Sequence, residues 1–158
     1  MPKIETRVWV DAPVDRVFDL ARSVELHVDS TAGSDENVTA GRESGLFELG
    51  DQVTWSAYHL GKRRQLTARI TAFDRPRSFR DSQVTGPFVR FDHDHIFEPE
   101  NGGTWIVDRF AYTSPLGWLG KLADRLFLER YMREFLLRRS AVIKDVAESD
   151  SWQGYLSH

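Results

Sequence analysis

From Ile4 to Val10 the chain alternates, with Ile4, Thr6, Val8 and Val10 on one side and Glu5, Arg7 and Trp9 on the other. That period of two predicts a half-buried strand. The stretch Asp11-Ala12-Pro13-Val14-Asp15 breaks it, and Val17, Phe18, Leu20 and Ala21 follow at helical spacing. Pro13 and Asp15 suit a helix start, where Pro has no donor to lose and a carboxylate meets the positive end of the dipole. A second, short helix is expected from Val24 to Asp29, and residues 29–37, DSTAGSDEN, read as a polar loop.

From about Val38 the pattern becomes a series of strands. Asp51 to Leu60 places Val53, Trp55, Ala57 and His59 on one face. Gly61-Lys62 turns the chain, and Leu66, Ala68, Ile70 and Ala72 mark the return strand. Phe79 to Val84, the stretch FVRFDHDHIFEP at 88–99, and Thr104 to Tyr112 follow, separated by Pro76, Gly86-Pro87 and Asn101-Gly102-Gly103. Strands joined by short turns of this kind describe an antiparallel meander.

Beyond Ser114-Pro115 the period changes to that of a helix. Leu116, Leu119, Leu122, Ala123 and Leu126 form one stripe. Leu128, Tyr131, Met132, Phe135, Leu136, Val142, Ile143 and Val146 form another, rotated by more than a quarter turn at about 100° per residue. The change predicts a short helix, a break near Phe127 to Glu129, and a long amphipathic helix to about Glu148. The tail SDSWQGYLSH is expected to fray, with Trp152 and Tyr155 available to dock. Strand, helix, curved antiparallel sheet and long C-terminal helix make an α+β chain, one domain over residues 1–148 with a polar tail at 149–158. The helix must bury its stripe on the concave face of the sheet, and an apolar cavity remains wherever curvature outruns side-chain volume.

The composition narrows the function. A chain of 158 residues with 41% hydrophobic and 28% charged residues is an ordinary globular domain. Its formal net charge of -3 offers no basic face for nucleic acid. The short run Lys62-Arg63-Arg64 reads as a solvated hairpin turn. The absence of cysteine removes disulfides and thiolate chemistry. No apolar run of signal-peptide or membrane-spanning length occurs, so a soluble, cytoplasmic protein is expected. There is no phosphate-binding loop, dinucleotide fingerprint or nucleophile elbow, and no cofactor is assigned.

Three features put polar groups on faces that otherwise read as buried. His93 and His95 share a strand face with Val89, Phe91 and Phe97. Asp108 shares one with Thr104, Ile106, Phe110 and Tyr112, and Arg139 falls within the stripe of the long helix. If the turn at 98–103 pairs Phe97 with Thr104, His93 lies opposite Asp108; if it pairs Phe97 with Ile106, His95 does. Opposed side chains have Cβ atoms about 4.5–5.5 Å apart, so either register lets the carboxylate reach an imidazole. His59 is a possible fourth member at the rim. The histidines can be ligands of a metal completed by Asp108 or His59, structural groups, or polar anchors of a pocket. A zinc site needs three or four ligands and no spacing supplies them, so no metal is assigned. Arg139 can pair with Asp108, cap a helix, or hold an anion. A Ser56, His93, Asp108 triad can be assembled only on paper.

The opening strand followed by DAPVDRVFDLA resembles the START-related helix-grip superfamily (SRPBCC), which includes lipid-transfer domains, polyketide cyclases and aromatases, and the birch-pollen allergen class. GDQVTW, RFDHDHIFEP, GGTWIVDRFAY and SPLGWLG, with the long Arg-containing helix, resemble a bacterial subgroup of it. The resemblance spans most of residues 3–146. It implies a seven-stranded antiparallel sheet gripping the C-terminal helix around a deep cavity that binds hydrophobic small molecules, and it transfers no catalytic residue. The leading expectation is a carrier or binder of a hydrophobic or amphipathic small molecule. Val53, Trp55, Phe91, Phe97, Ile106, Phe110, Phe135 and Val142 would form the apolar wall, and His59, His93, His95, Asp108 and Arg139 the polar groups. The alternative is a cyclase, dehydratase or hydrolase in which His93 or His95 with Asp108 acts as general base. A third reading is a dimeric interaction module using Trp118, Trp152 and Tyr155; monomer and homodimer both fit.

Overall fold

The computed structural model describes residues 3–31, 36–59, 61–114, 122 and 127–156. Strand β1 (Lys3–Val10) leads into helices α1 (Val14–Ala21) and α2 (Val24–Ser30). Six strands follow: β2 (Asn37–Gly41), β3 (Gln52–His59), β4 (Lys62–Asp74), β5 (Ser78–Thr85), β6 (Arg90–Glu100) and β7 (Gly103–Thr113). The long helix α3 (Glu129–Ala147) and a short helix α4 (Trp152–Leu156) complete the order. The seven strands form one antiparallel sheet in the order β1-β7-β6-β5-β4-β3-β2, so the first strand closes on the last. Sequential hairpins generate the rest, as the short turns predict.

The packing explains these elements. Helix α1 starts at Pro13 and buries Val17, Phe18, Leu20 and Ala21. Phe18, fully buried, meets Phe73, Phe79 and Phe97 edge-on with ring centroids 5.2–5.5 Å apart. Helix α2 is capped by Ser23, whose Oγ accepts from the Leu26 amide at 3.2 Å. At the end of β2 the chain passes so close to β3 that a Cβ on Gly41 would lie 2.2 Å from the Gln52 carbonyl oxygen, and Gly41 also has φ of 84°. A second cluster of Ile4, Ala68, Phe91, Phe110, Tyr112 and Leu136 forms where α3 meets the sheet.

Several expectations change. Lys62-Arg63-Arg64 is not a turn but the start of β4, where Arg63 donates to Ser56 Oγ at 2.8 Å and Arg64 to the His59 carbonyl at 3.2 Å. Val89 lies outside β6 and is exposed. The tail does not fray at its start: α4 forms because the Arg16 guanidinium lies 4.1 Å over the Trp152 ring and the Tyr155 hydroxyl donates to Asp29. The stripe at 116–126, apart from Leu122, and Trp118 lie outside the described residues. Among the described residues no helix is long and apolar enough to cross a membrane.

Candidate functional site

A cavity of about 310 Å³ opens between the sheet and α3. Trp55, Ala57 and Leu66 line one side of it, Phe88, Phe91 and Phe110 another, and Leu128, Met132, Phe135 and Leu136 come from the helix end. Its polar groups are His27, Glu36, His59, Arg64, Asp81, His93, Ser114, Tyr131 and Arg139. A smaller space of about 60 Å³ continues toward the core and touches Asp81, His93, His95 and Arg139.

Three adjacent strands build the polar end. The observed register pairs Phe97 with Ile106, which sets His95 directly opposite Asp108, and it sets Asp81 opposite His93. The hydrogen bonds run along the diagonals instead. His93 Nε2 donates to Asp108 Oδ1 at 2.9 Å, and His95 Nε2 donates to Asp81 Oδ1 at 2.6 Å. The two rings stack at 3.8 Å between the carboxylates. Ser140 of α3 donates to the other oxygen of Asp108 at 3.0 Å, which ties the helix to the sheet.

Burial and charge set the protonation of these groups. Burial, the largest single influence, would raise Asp81, but the hydrogen bond from His95 and the attraction of His95, His93 and Arg139 together outweigh it and hold the carboxyl at about 2. Burial acts against Asp108 in the same way, and the hydrogen bond from His93 with the attraction of His93, His95 and Arg139 keeps it well below the ordinary carboxylate value. Burial, with the neighbouring His93 ring adding to it, pushes His95 down to about 4. At the rim, burial lowers His59, whose Nδ1 lies 2.7 Å from the Tyr131 hydroxyl. Glu36 is buried, and His27, which bonds it at 2.6 Å and stacks on Trp55, overcomes the burial cost and lowers it.

Trp55, His59, Phe91, His93, Phe110, Phe135 and Arg139 therefore face the main cavity, as expected. His95 and Val53 face only the smaller space, and Asp108 lies behind the histidines. Phe97, Ile106 and Val142 do not line the cavity: they pack in the core under α1, with Phe97 against Phe18. Ser56 bonds Arg63 on the other side of β3, so no triad with His93 forms. Arg139 makes no ion pair with Asp108. The residue is 7% exposed; its guanidinium donates from Nη2 to the Ala21 carbonyl at 3.3 Å and leaves Nε without a partner. Sequence reasoning missed Asp81, His27 and Glu36. Asp81 shares a face of β5 with buried Phe79, which was a usable signal; nothing marked His27 or Glu36.

The family model described as "polyketide cyclase / dehydrase and lipid transport" matches residues 1–143. The protein TTHA0849 from Thermus thermophilus superposes with a TM-score of 0.75 at 22% identity, covering 91% of this chain and 95% of its own. Ginseng major latex-like protein 151 from Panax ginseng superposes at 0.71 with 17% identity, covering 94% and 98%. At these identities the likeness is one of fold. No curated protein sequence matches the chain. The sheet wrapped on α3, the cavity between them and the match over residues 1–143 together assign the chain to the polyketide cyclase, dehydrase and lipid transport family of the START-related helix-grip superfamily.

Proposed function

We propose that the protein binds and carries an amphipathic small molecule whose apolar body fills the main cavity and whose polar end reaches the Arg139 region. One observation carries this reading: a cavity of about 310 Å³, walled by aliphatic and aromatic side chains, ends at a buried guanidinium whose Nε has no partner. Apolar walls supply affinity by excluding water, and a few convergent polar groups orient the occupant. A buried donor without an acceptor costs about 1–3 kcal/mol, which an acceptor oxygen on a ligand would recover. Native mass spectrometry after exposure to a lipid extract tests it. The wild type is expected to retain a ligand and Ala57→Trp, which fills the cavity from its wall, to lose it. Equal retention by a folded Ala57→Trp variant, or none by the wild type, rejects the reading.

A second reading has a specific observation in its favour. Asp108 holds His93 through Nε2 and is itself fixed by Ser140, an arrangement in which a carboxylate orients an imidazole at a cavity wall. That is the geometry of a general base for a cyclase, dehydratase or hydrolase. Turnover of a small carbonyl substrate that disappears in Asp108→Asn while ligand retention survives would establish chemistry over carriage.

A further inference from the structure

We propose that Asp81, His93 and His95 form a divalent-metal site, with Asp108 orienting both imidazoles and zinc as the ion that suits the donor set. The inference goes beyond carriage of an apolar ligand and does not depend on it.

Each imidazole lies between the same two carboxylate oxygens. Asp108 Oδ1 is 2.9 Å from His93 Nε2 and 3.5 Å from His95 Nδ1. Asp81 Oδ1 is 3.8 Å from His93 Nδ1 and 2.6 Å from His95 Nε2. A neutral imidazole has one N–H and one lone pair. Whichever nitrogen carries the hydrogen, each neutral ring turns a lone pair toward a carboxylate oxygen. The cluster is therefore short of positive charge at the points where its acceptors meet.

Without an ion His95 Nε2 donates to Asp81; an ion bound there displaces that hydrogen, which moves to Nδ1 on the Asp108 side, while His93 already turns its hydrogen to Asp108. His93 Nδ1 and His95 Nε2 then direct their lone pairs to the side of Asp81, and one ligand atom from each of the three residues lies within 4.8 Å of the others. Ligands about 2.0–2.1 Å from a metal stand roughly 3–3.5 Å from one another. The distances of 2.6 and 3.8 Å from Asp81 to the two rings bracket that spacing. The rings are 28° from parallel, and coordination requires them to splay further about χ2, a soft torsion in histidine. Asp108 then does what outer carboxylates do in such sites: it fixes the tautomer and the plane of the ligating rings.

The carboxylates are placed to receive a cation: Asp81 and Asp108 lie on the two sides of the stacked rings, where neutral imidazoles do not offset their charges, whereas Glu36 is paired with His27, and Arg139 and Arg64 are the guanidinium groups lining the main cavity. Two imidazoles and one carboxylate are a donor set for zinc and for iron(II), with further coordination positions open. Those positions face the cavity, because Asp81 and His93 line it.

The test uses tag-free protein freed of metal by chelator dialysis. Zinc is titrated by calorimetry and cobalt(II) is followed by its visible ligand-field bands. One ion per chain is expected. Asp81→Asn, which keeps an acceptor for His95 while removing the carboxylate, should weaken binding at least 100-fold, as should His95→Gln. Asp108→Asn should weaken it about 10–100-fold, the usual loss for an outer-shell partner. Circular dichroism establishes that each variant is folded; if His95→Gln is not, Asp81→Asn decides alone. Absence of saturable binding overturns the proposal, and so does an ion bound with unchanged affinity by folded Asp81→Asn.

Discussion

Leu136 and Phe18 are both buried, yet their truncation should not cost the same. Leu136 belongs to the cluster with Phe91, Phe110 and Tyr112, and its other side lines the cavity. Phe18 is enclosed by three rings and lines neither of the two spaces described above. Leu→Ala in a packed core costs about 2–5 kcal/mol and Phe→Ala about 3–5 kcal/mol. A side chain with empty space on one side has already forfeited part of its dispersion contacts, which places Leu136→Ala near the low end, about 2–3 kcal/mol. A chain of this size loses about 2–4 °C in Tm per kcal/mol, so Leu136→Ala should lower Tm by about 4–12 °C and Phe18→Ala by about 6–20 °C. Urea denaturation with unchanged m-values supplies the free energies, and calorimetry the Tm. A ligand that fills the cavity at 100 times its Kd adds about 2.7 kcal/mol, so it should recover most of the Leu136→Ala loss while restoring the same increment to Phe18→Ala. If Leu136→Ala costs as much as Phe18→Ala, no cavity lies against Leu136. If it costs under about 1 kcal/mol, α3 does not pack there, and the reasoning fails either way.

Asp108→Asn removes the charge from a buried acceptor of two hydrogen bonds, each worth about 1.5–3 kcal/mol when the acceptor is ionised. The net loss after the amide re-forms one of them is expected at about 2–3 kcal/mol by urea denaturation. His59 is lowered from 6.5 by burial, so the folded state disfavours its proton. Its contribution to stability is complete above pH 6.5 and is lost as pH falls from there through the folded value. A ring-proton NMR titration should give a midpoint below 6.5; a midpoint at 6.5 would place His59 in solvent, and one above it would mean that the charge of Glu36 outweighs burial. Asp19 is lowered because the hydrogen bonds from Arg75 and Arg22 outweigh its burial. Asp19→Asn should cost about 1–2 kcal/mol at pH 7, with the difference from wild type shrinking as pH falls below 3.8.

Much of the fold was legible because each element has a period that burial enforces. The alternation through Ile4 and Val10 and through Phe91, His93, His95 and Phe97 reappears as buried positions on β1 and β6. The paired break at Asp11 to Pro13 and the apolar spacing after it place α1 within a residue or two of where it forms. The run Lys62-Arg63-Arg64 misled for a physical reason. Charged side chains after a glycine resemble a solvated turn, but here their aliphatic stems and guanidinium groups lie along the neighbouring strand, with Arg63 4.4 Å over the Tyr58 ring. The tail shows the same limit: a single Trp and Tyr carry no period, and only the facing Arg16 and Asp29 make them dock.

The polar end was half legible, and the missing half is geometric. Period two tells which face a residue takes, and it put His93, His95 and Asp108 inward on that ground. It also reduced the β6–β7 register to two choices, of which the structure has the one that opposes His95 to Asp108. Opposition, however, is not bonding. Imidazoles reach past the directly opposed position, so Asp108 bonds His93 and Asp81 bonds His95, each two residues along the strand from the opposed partner. Finding Asp81 required a second register, that of β5 on β6, across a turn at Gly86-Pro87 whose length does not set it. Glu36 and His27 come from a loop and a short helix with no period to extend. The apolar wall was overestimated for the same reason: Phe97 and Ile106 face inward as predicted, but α1 covers that end of the concave face, so the cavity begins only where Phe18 and its neighbours stop.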